Sequence, residues 1–263
     1  MSVDILDQPR GGILETVALY LYKNGGNYPL NSLIKKMTGS DEGKEYFLRN
    51  VLGILEATDF IQVEREEVSL KDCFILRKWP EKIKSFEICF KIELLSKIMK
   101  SKNPRIRYFG DLLRKLFDLN DFDETDLEKT LREARRERGI PVSEGEELRG
   151  KIEFCIAFLR YFNMIQQIYF KYQMYVPREF LRAIFFISLE DINKPNIKLY
   201  SELLKHIDTN YLPVLNVAEN RVLNAVYRTL NNEEFIHLFN FANVPDGGRT
   251  ILLANKEFNA IIR

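Results

Sequence analysis

Apolar residues recur at helical spacing through most of this chain and at strand spacing in short stretches between, and the two patterns alternate in the same order three times. In the first third, Ile13, Leu14, Val17, Ala18, Tyr20 and Leu21 predict a helix that stops at Gly25-Gly26, where left-handed backbone costs little. A short helix is predicted over 29–37. After the breaker Gly39-Ser40-Asp41, the series Tyr46, Phe47, Val51, Leu52, Ile54 and Leu55 predicts a longer helix ending near Thr58. Phe60, Ile61 and Val63, with a second extended run over 74–76, predict a hairpin around the acidic turn Glu64-Arg65-Glu66-Glu67.

The middle third follows a helical connector over 83–100, closed by Asn103-Pro104. Tyr108, Leu112, Leu113, Leu116 and Phe117 predict its first helix. A second starts at Asp123 or Thr125, each with an acid three residues on, and stops at Gly139; Ser143 with Glu146 predicts a capping box for the third. That third helix carries Leu148, Ile152, Cys155, Ile156, Phe158 and Leu159, and its exit, Phe158 to Ile165, parallels the exit of the first unit in apolar spacing. Ile165, Ile168 and Phe170, then Gln173, Tyr175 and Val176, predict two strands around Lys171-Tyr172. In the last third, Phe180, Leu181, Ile184 and Phe185 predict an opening helix, 199–206 a second, and 217–230 a third. Phe235, Ile236 and Leu238 predict one strand and Ile251, Leu252 and Leu253 another, joined through the glycine pair Gly247-Gly248 and Arg249.

Helix, short helix, longer helix and hairpin is the order of the winged helix-turn-helix, and the string Val51-Leu52-Gly53-Ile54-Leu55-Glu56-Ala57-Thr58-Asp59-Phe60-Ile61-Gln62-Val63 resembles the end of its recognition helix, the tight turn after it and the first wing strand. The resemblance covers 11–79, 104–176 and 177–258. It rests on element order, since the three copies share little residue identity. It implies a mainly α chain with small β-hairpins (α+β), built of tandem winged-helix domains at 1–80, 104–176 and 177–263 with a connector over 81–103.

It also implies where to look for contacts, because a third helix fits the major groove with its N-terminal half against base edges and basic neighbours on phosphate. The outward positions are Lys44, Arg49 and Asn50 in the first unit, Arg149 and Lys151 in the second, and Asn220, Arg221, Asn224 and Arg228 in the third. At the wing tips, Arg249 and Lys171 have the charge to enter a minor groove, whereas the three glutamates of the first wing repel phosphate. An ordinary solvated helix face carries the same residue types. Winged helices also bind proteins, so the shape leaves the partner open.

Charge adds a restriction. Lys plus Arg number 39 and Asp plus Glu 38, so no global field draws the molecule onto a polyanion, and affinity for DNA must come from local contacts. The middle third is the basic one. Arg132, Arg135, Arg136 and Arg138 close its second helix, where cations offset the dipole, and with Lys100, Lys102, Arg105, Arg107 and Lys129 they form a candidate phosphate patch. Most of the 19 Phe and 12 Tyr sit at core-facing positions; Tyr169, Tyr172 and Tyr175 in the middle wing are the exception, as candidates for base stacking.

The same sequence argues against other classes. No run approaches the roughly 20 apolar residues of a membrane-spanning helix, and the first residues carry acids where a secretory signal needs a basic segment, so a cytoplasmic, or nucleoid-associated or nuclear, protein is expected. Cys73, Cys89 and Cys155 are isolated among apolar neighbours and read as reduced core thiols; His206 and His237 stand apart from any cysteine, so no metal is expected. The acids Asp118, Asp121, Asp123, Glu124 and Asp126 lack the glycine and the final glutamate of a calcium loop. No phosphate-cradling loop, dinucleotide fingerprint or nucleophile elbow occurs, so neither a cofactor, a small-molecule substrate nor catalysis is expected. The expectation is a duplex DNA-binding regulator, maintenance factor or recognition subunit of a nucleic-acid machine. The alternative is an interaction scaffold with a protein partner or larger complex, in which Phe86, Ile88, Phe90, Ile92, Leu94 and Leu95 of the connector form an assembly surface unless they are buried between units.

Overall fold

The computed structural model describes residues 4–6, 11–39, 41–71, 73–78, 80–83, 85–119, 121–191, 197–211, 239–243 and 249–253. The chain is mainly helical with three small antiparallel sheets, one in each third. The first unit runs α1 (Gly11–Lys23), β1 (Asn27–Pro29), α2 (Leu30–Thr38), α3 (Glu42–Ala57), β2 (Ile61–Glu64), β3 (Glu67–Leu70). Three helices follow: α4 (Phe74–Lys78), α5 (Pro80–Ile83) and α6 (Phe86–Lys100). The second unit repeats the order as α7 (Pro104–Leu119), β4 (Asp121–Phe122), α8 (Glu124–Glu137), α9 (Gly145–Tyr161), β5 (Ile165–Ile168), β6 (Lys171–Met174). The third shows α10 (Arg178–Asp191), β7 (Ile197–Leu199), α11 (Tyr200–Asn210), β8 (Phe239–Asn243) and β9 (Arg249–Leu253). In every sheet the last strand lies in the middle, flanked by the hairpin partner and by the short strand after the first helix.

The repeat holds at the level of single hydrogen bonds. Helix α3 ends with Asp59 in the left-handed region (φ 63°) and Phe60 N–H donating to the Leu55 carbonyl at 2.8 Å; α9 ends with Asn163 (φ 55°) and Met164 N–H donating to Leu159 at 2.9 Å. This is the bond from five residues on that closes orphan helix carbonyls, with Asp and Asn, the side chains that best tolerate the left-handed region, in place of glycine. Beyond each hairpin, Lys71 donates to Phe60 and Tyr175 to Met164, both at 3.0 Å.

Several expectations need correction. The second strand of the first hairpin is β3, not 74–76: Arg65 and Glu66 take positive φ (46° and 68°) as a two-residue turn, which pairs Glu64 with Glu67 and buries Val68. Residues 74–76 are instead the start of α4. The middle hairpin turns at Tyr169-Phe170, not Lys171-Tyr172, because the Tyr172 ring is buried against Phe122 of β4 with centroids 5.5 Å apart, so the strand has already resumed. Helix α9 has Glu144 at its N-cap without a side-chain cap, and the Ser143 hydroxyl donates to Glu147 instead of closing a box with Glu146. In the third unit one hairpin strand lies at β8, further on than 235–238; those residues and the helix expected over 217–230 lie outside the described residues.

The connector resolves in favour of burial. Phe90, Ile92, Leu94, Leu95 and Ile98 of α6 are fully enclosed, and α6 packs against α1, α4, α5, α7, α10 and α11. Even its charged positions go inside. Lys91 pairs with Glu87 and lies over the Tyr161 ring, while the Glu93 carboxylate accepts from the Ile75 N–H at 2.7 Å, capping α4. Phe86 and Ile88 are half-buried at its start. The three cysteines are free and buried, and burial, with the Glu93 charge second, pushes the Cys89 thiol up to about 12.

Candidate nucleic-acid interface

Helix α3 is positioned from its N-terminus. Asp41 caps it by accepting from the Lys44 N–H at 3.2 Å, and that bond, with the Lys44 ammonium, holds the Asp41 carboxyl below its ordinary range. Leu48, Val51, Leu52, Ile54 and Leu55 face the core. On the opposite face Arg49 is exposed and Asn50 half-buried, while Lys44, four residues before Leu48, is exposed in the first turn at the N-terminal end of the core stripe. Both cations lean on acids of their own turn, Lys44 3.4 Å from Asp41 and Arg49 donating Nε–H and Nη2–H to one Glu45 oxygen at 3.0 and 2.8 Å. Tyr46 belongs to the apolar series in sequence, yet its ring stands 66% exposed on this same face.

The third helix of the second unit offers less. Arg149 projects into solvent, 3.5 Å from Glu153, among exposed Glu144, Glu146 and Glu147. Lys151 does not face outward. Three residues after Leu148 and four before Cys155, it lies on the core side, and its side chain is 7% exposed, with the ammonium 3.7 Å from Asp4 and 3.9 Å from Glu147.

Asp4 binds the whole neighbourhood: it accepts from Tyr108 Oη and from Arg135 Nη1, each at 2.6 Å, and from the Leu6 N–H at 3.0 Å. Burial first and the Asp4 carboxylate second raise the Tyr108 phenol well above its usual value. Arg135 is therefore spent on the core. Arg132 donates to Glu128 at 2.8 Å, and Arg138 grips Asp111 through two bonds at 2.6 and 3.0 Å. Arg107 is half-enclosed, its basicity lowered by burial. Arg105 is half-buried, and Lys100 is exposed with its ammonium 5.4 Å from the Tyr211 ring centre, so the candidate phosphate patch reduces to the exposed Lys100, Lys102, Lys129 and Arg136.

Lys171 is exposed, but at the start of β6 and not in the turn where it was expected. The turn holds Tyr169, a stacking candidate from the sequence, which is 90% exposed, and Phe170, which was not foreseen in this role and is 94% exposed. Of the aromatic candidates beside them, Tyr175 is 39% exposed and Tyr172 is core. Arg249 opens β9, its backbone paired with Asn243. Asn220, Arg221, Asn224 and Arg228, and the glycine-rich tip at 244–248, lie outside the described residues.

Among the described residues no helix is long and apolar enough to cross a membrane, and no three His, Cys, Asp or Glu side chains are gathered as a metal would need. No family model and no curated protein matches this sequence. A crystal structure of magnesium-ion-bound SspB is similar over 99% of this chain and 86% of its own, with 12% sequence identity and a TM-score of 0.52. A second SspB crystal structure has a TM-score of 0.48 at the same identity. At that identity the first likeness concerns the fold alone, and it spans all three units.

Proposed function

We propose that the chain is a tandem winged-helix protein that binds duplex DNA by localised contacts, as a regulator, maintenance factor or recognition subunit of a larger machine, and that it is not an enzyme. The observation carrying this reading is helix α3, which exposes Lys44 in its first turn and Tyr46 and Arg49 on the face away from the core. A helix of 16 residues with one face against the core has the size and exposure to enter a major groove. Its cations are held only by exposed pairs within the same turn, which contribute little to stability and are readily exchanged for phosphate. Near-neutral overall charge then makes affinity depend on a few phosphates, multiplied by several units on one body.

The test is salt-titrated binding of the full chain to duplex DNA. Replacing Lys44, Arg49 and Lys171 by alanine is expected to weaken binding and to flatten the log–log salt slope by about 0.9 for each phosphate contact removed. Absence of duplex binding at low salt sinks this reading. It would favour a protein-binding scaffold, a second reading supported by the first wing, whose exposed Glu64, Glu66 and Glu67 suit a basic protein surface better than a phosphate backbone.

A further inference from the structure

We propose that the tip of the second wing, Tyr169-Phe170, is a wedge that enters the base stack of duplex DNA. This rests on the DNA-binding reading above and adds to it a specific act: local unstacking at the wing.

The hairpin register pairs Ile168 with Lys171 and leaves these two residues alone at the turn. Their rings are the most exposed large hydrophobic groups among the described residues, and Ile168 beneath them is 40% exposed. Wing geometry does not demand aromatics here, since the first wing, with the same strand lengths, carries Arg65 and Glu66 at the equivalent turn. Two rings with nothing of their own chain to pack against lose water contact only when a partner covers them.

The stem is held while the tip is free. Tyr172 packs on Phe122, the Arg160 guanidinium lies 5.9 Å from the Tyr172 ring centre, and Arg160 also donates to Gln167 at 3.1 Å. A braced hairpin with a projecting aromatic end transmits a push without folding back.

Charge selects the occupant. From Phe154 to Arg178 the sequence contains no Asp or Glu, while Arg160, Lys171 and Arg178 fall within it. The shallow cleft beside the tip has one carboxylate on its wall, Asp121; Lys171 and Gln173 supply the polar contacts, and the rings the rest. An apolar point with a cation at its base fits a stacked polyanion: the ring slides between bases while the ammonium reaches the flanking phosphate. Pyrimidine–purine steps, the easiest to unstack, are the preferred sites. In the same unit the third helix presents glutamates, so the wing is the part of this unit suited to approach DNA.

The experiment uses the full chain and short duplexes carrying 2-aminopurine at a central TA step. Wild type is expected to raise the 2-aminopurine fluorescence at least twofold on binding. The double substitution Tyr169→Asn, Phe170→Ala, in which Asn accepts the positive φ of position 169 (55°), removes that rise and weakens binding several-fold. Lys171→Ala keeps the rise and lowers the salt slope. Binding with no fluorescence change, or a rise that survives the double substitution, overturns the wedge and leaves duplex binding standing. No binding at all removes the DNA-binding reading itself. A self-association of wild type that the double substitution abolishes, seen by sedimentation without any unstacking, assigns the tip to a contact between copies of the chain and overturns the proposal.

Discussion

Single buried charges carry unusual weight in this molecule. Asp4 neutralises Arg135, receives the Tyr108 hydroxyl and lies near Lys151, so one carboxylate from the start of the chain satisfies α7, α8 and α9 at once. Removing one partner of a buried pair leaves the other charge uncompensated, which typically costs about 3–5 kcal/mol. Asp4→Ala is therefore expected to lower the unfolding free energy obtained from urea titration by an amount of that order, and Asp4→Asn by less. Glu93 behaves differently. Burial raises its carboxyl above the ordinary range, so above that range the folded chain holds a proton that the unfolded chain has released. Its contribution favours folding at the acid end and is lost as pH rises from the ordinary carboxylate range through the raised folded value. Glu93→Gln removes this dependence; the midpoint of the variant relative to wild type should shift in favour of the variant as pH rises above the ordinary carboxylate range. Residues of this kind are where sequence reasoning fails. Spacing along α9 already puts Lys151 on the core side, but its buried acid, Asp4, lies far back in the sequence with no local mark. Tyr46 and Phe170 fall in apolar series like core residues, and only the finished packing shows them outside.

At the scale of elements the longer helices were legible because they have an apolar stripe and a chemical boundary, whereas α4 and α5, at five and four residues, are too short to show one, and 74–76 read as strand. Asp123 is the clearest: its side chain accepts from the Thr125 and Asp126 N–H groups, and Asp126 returns a bond to the Asp123 N–H, the reciprocal box that acid spacing predicts. Asp123→Ala should cost about 1 kcal/mol, read as a lower Tm with faster hydrogen exchange confined to the first turn of α8. Proline at Leu30's threshold and glycine at position 39 bound α2 in the same legible way. The strands β1, β4 and β7 were not legible. Two or three residues do not establish an alternation, and each is a strand only because a hairpin supplies the partner edge. Turn chemistry misled once: the acidic turn at 64–67 falls where Arg65 and Glu66 do reverse the chain, but Tyr169-Phe170 makes a turn that usually draws glycine or asparagine, so nothing local separates that tip from strand.

For the whole molecule, the repeating order was visible in the sequence, and the distribution of charge among the copies became meaningful only on the fold. Two hairpins of equal strand length end in opposite chemistry, one acidic and one aromatic, and the exposed face of α3 differs from the glutamate-bearing face of α9. The copies repeat one order of elements with different surfaces, which is why net charge near zero says little about any single one. Polar contacts also cross between thirds: Arg114 of α7 pairs with Asp208 of α11 through two bonds at 3.1 Å, and Tyr161 of α9 donates to Glu15 of α1 at 2.8 Å. Helix α6 lies among all of them, most of its apolar side chains enclosed while Glu87 and Lys100 stay exposed. A shaft packed against helices of every unit ties their outer faces to one interval, so that the extended partner proposed above would be met as by the teeth of a gauge, and one whose own repeat falls out of phase would engage a single tooth at a time.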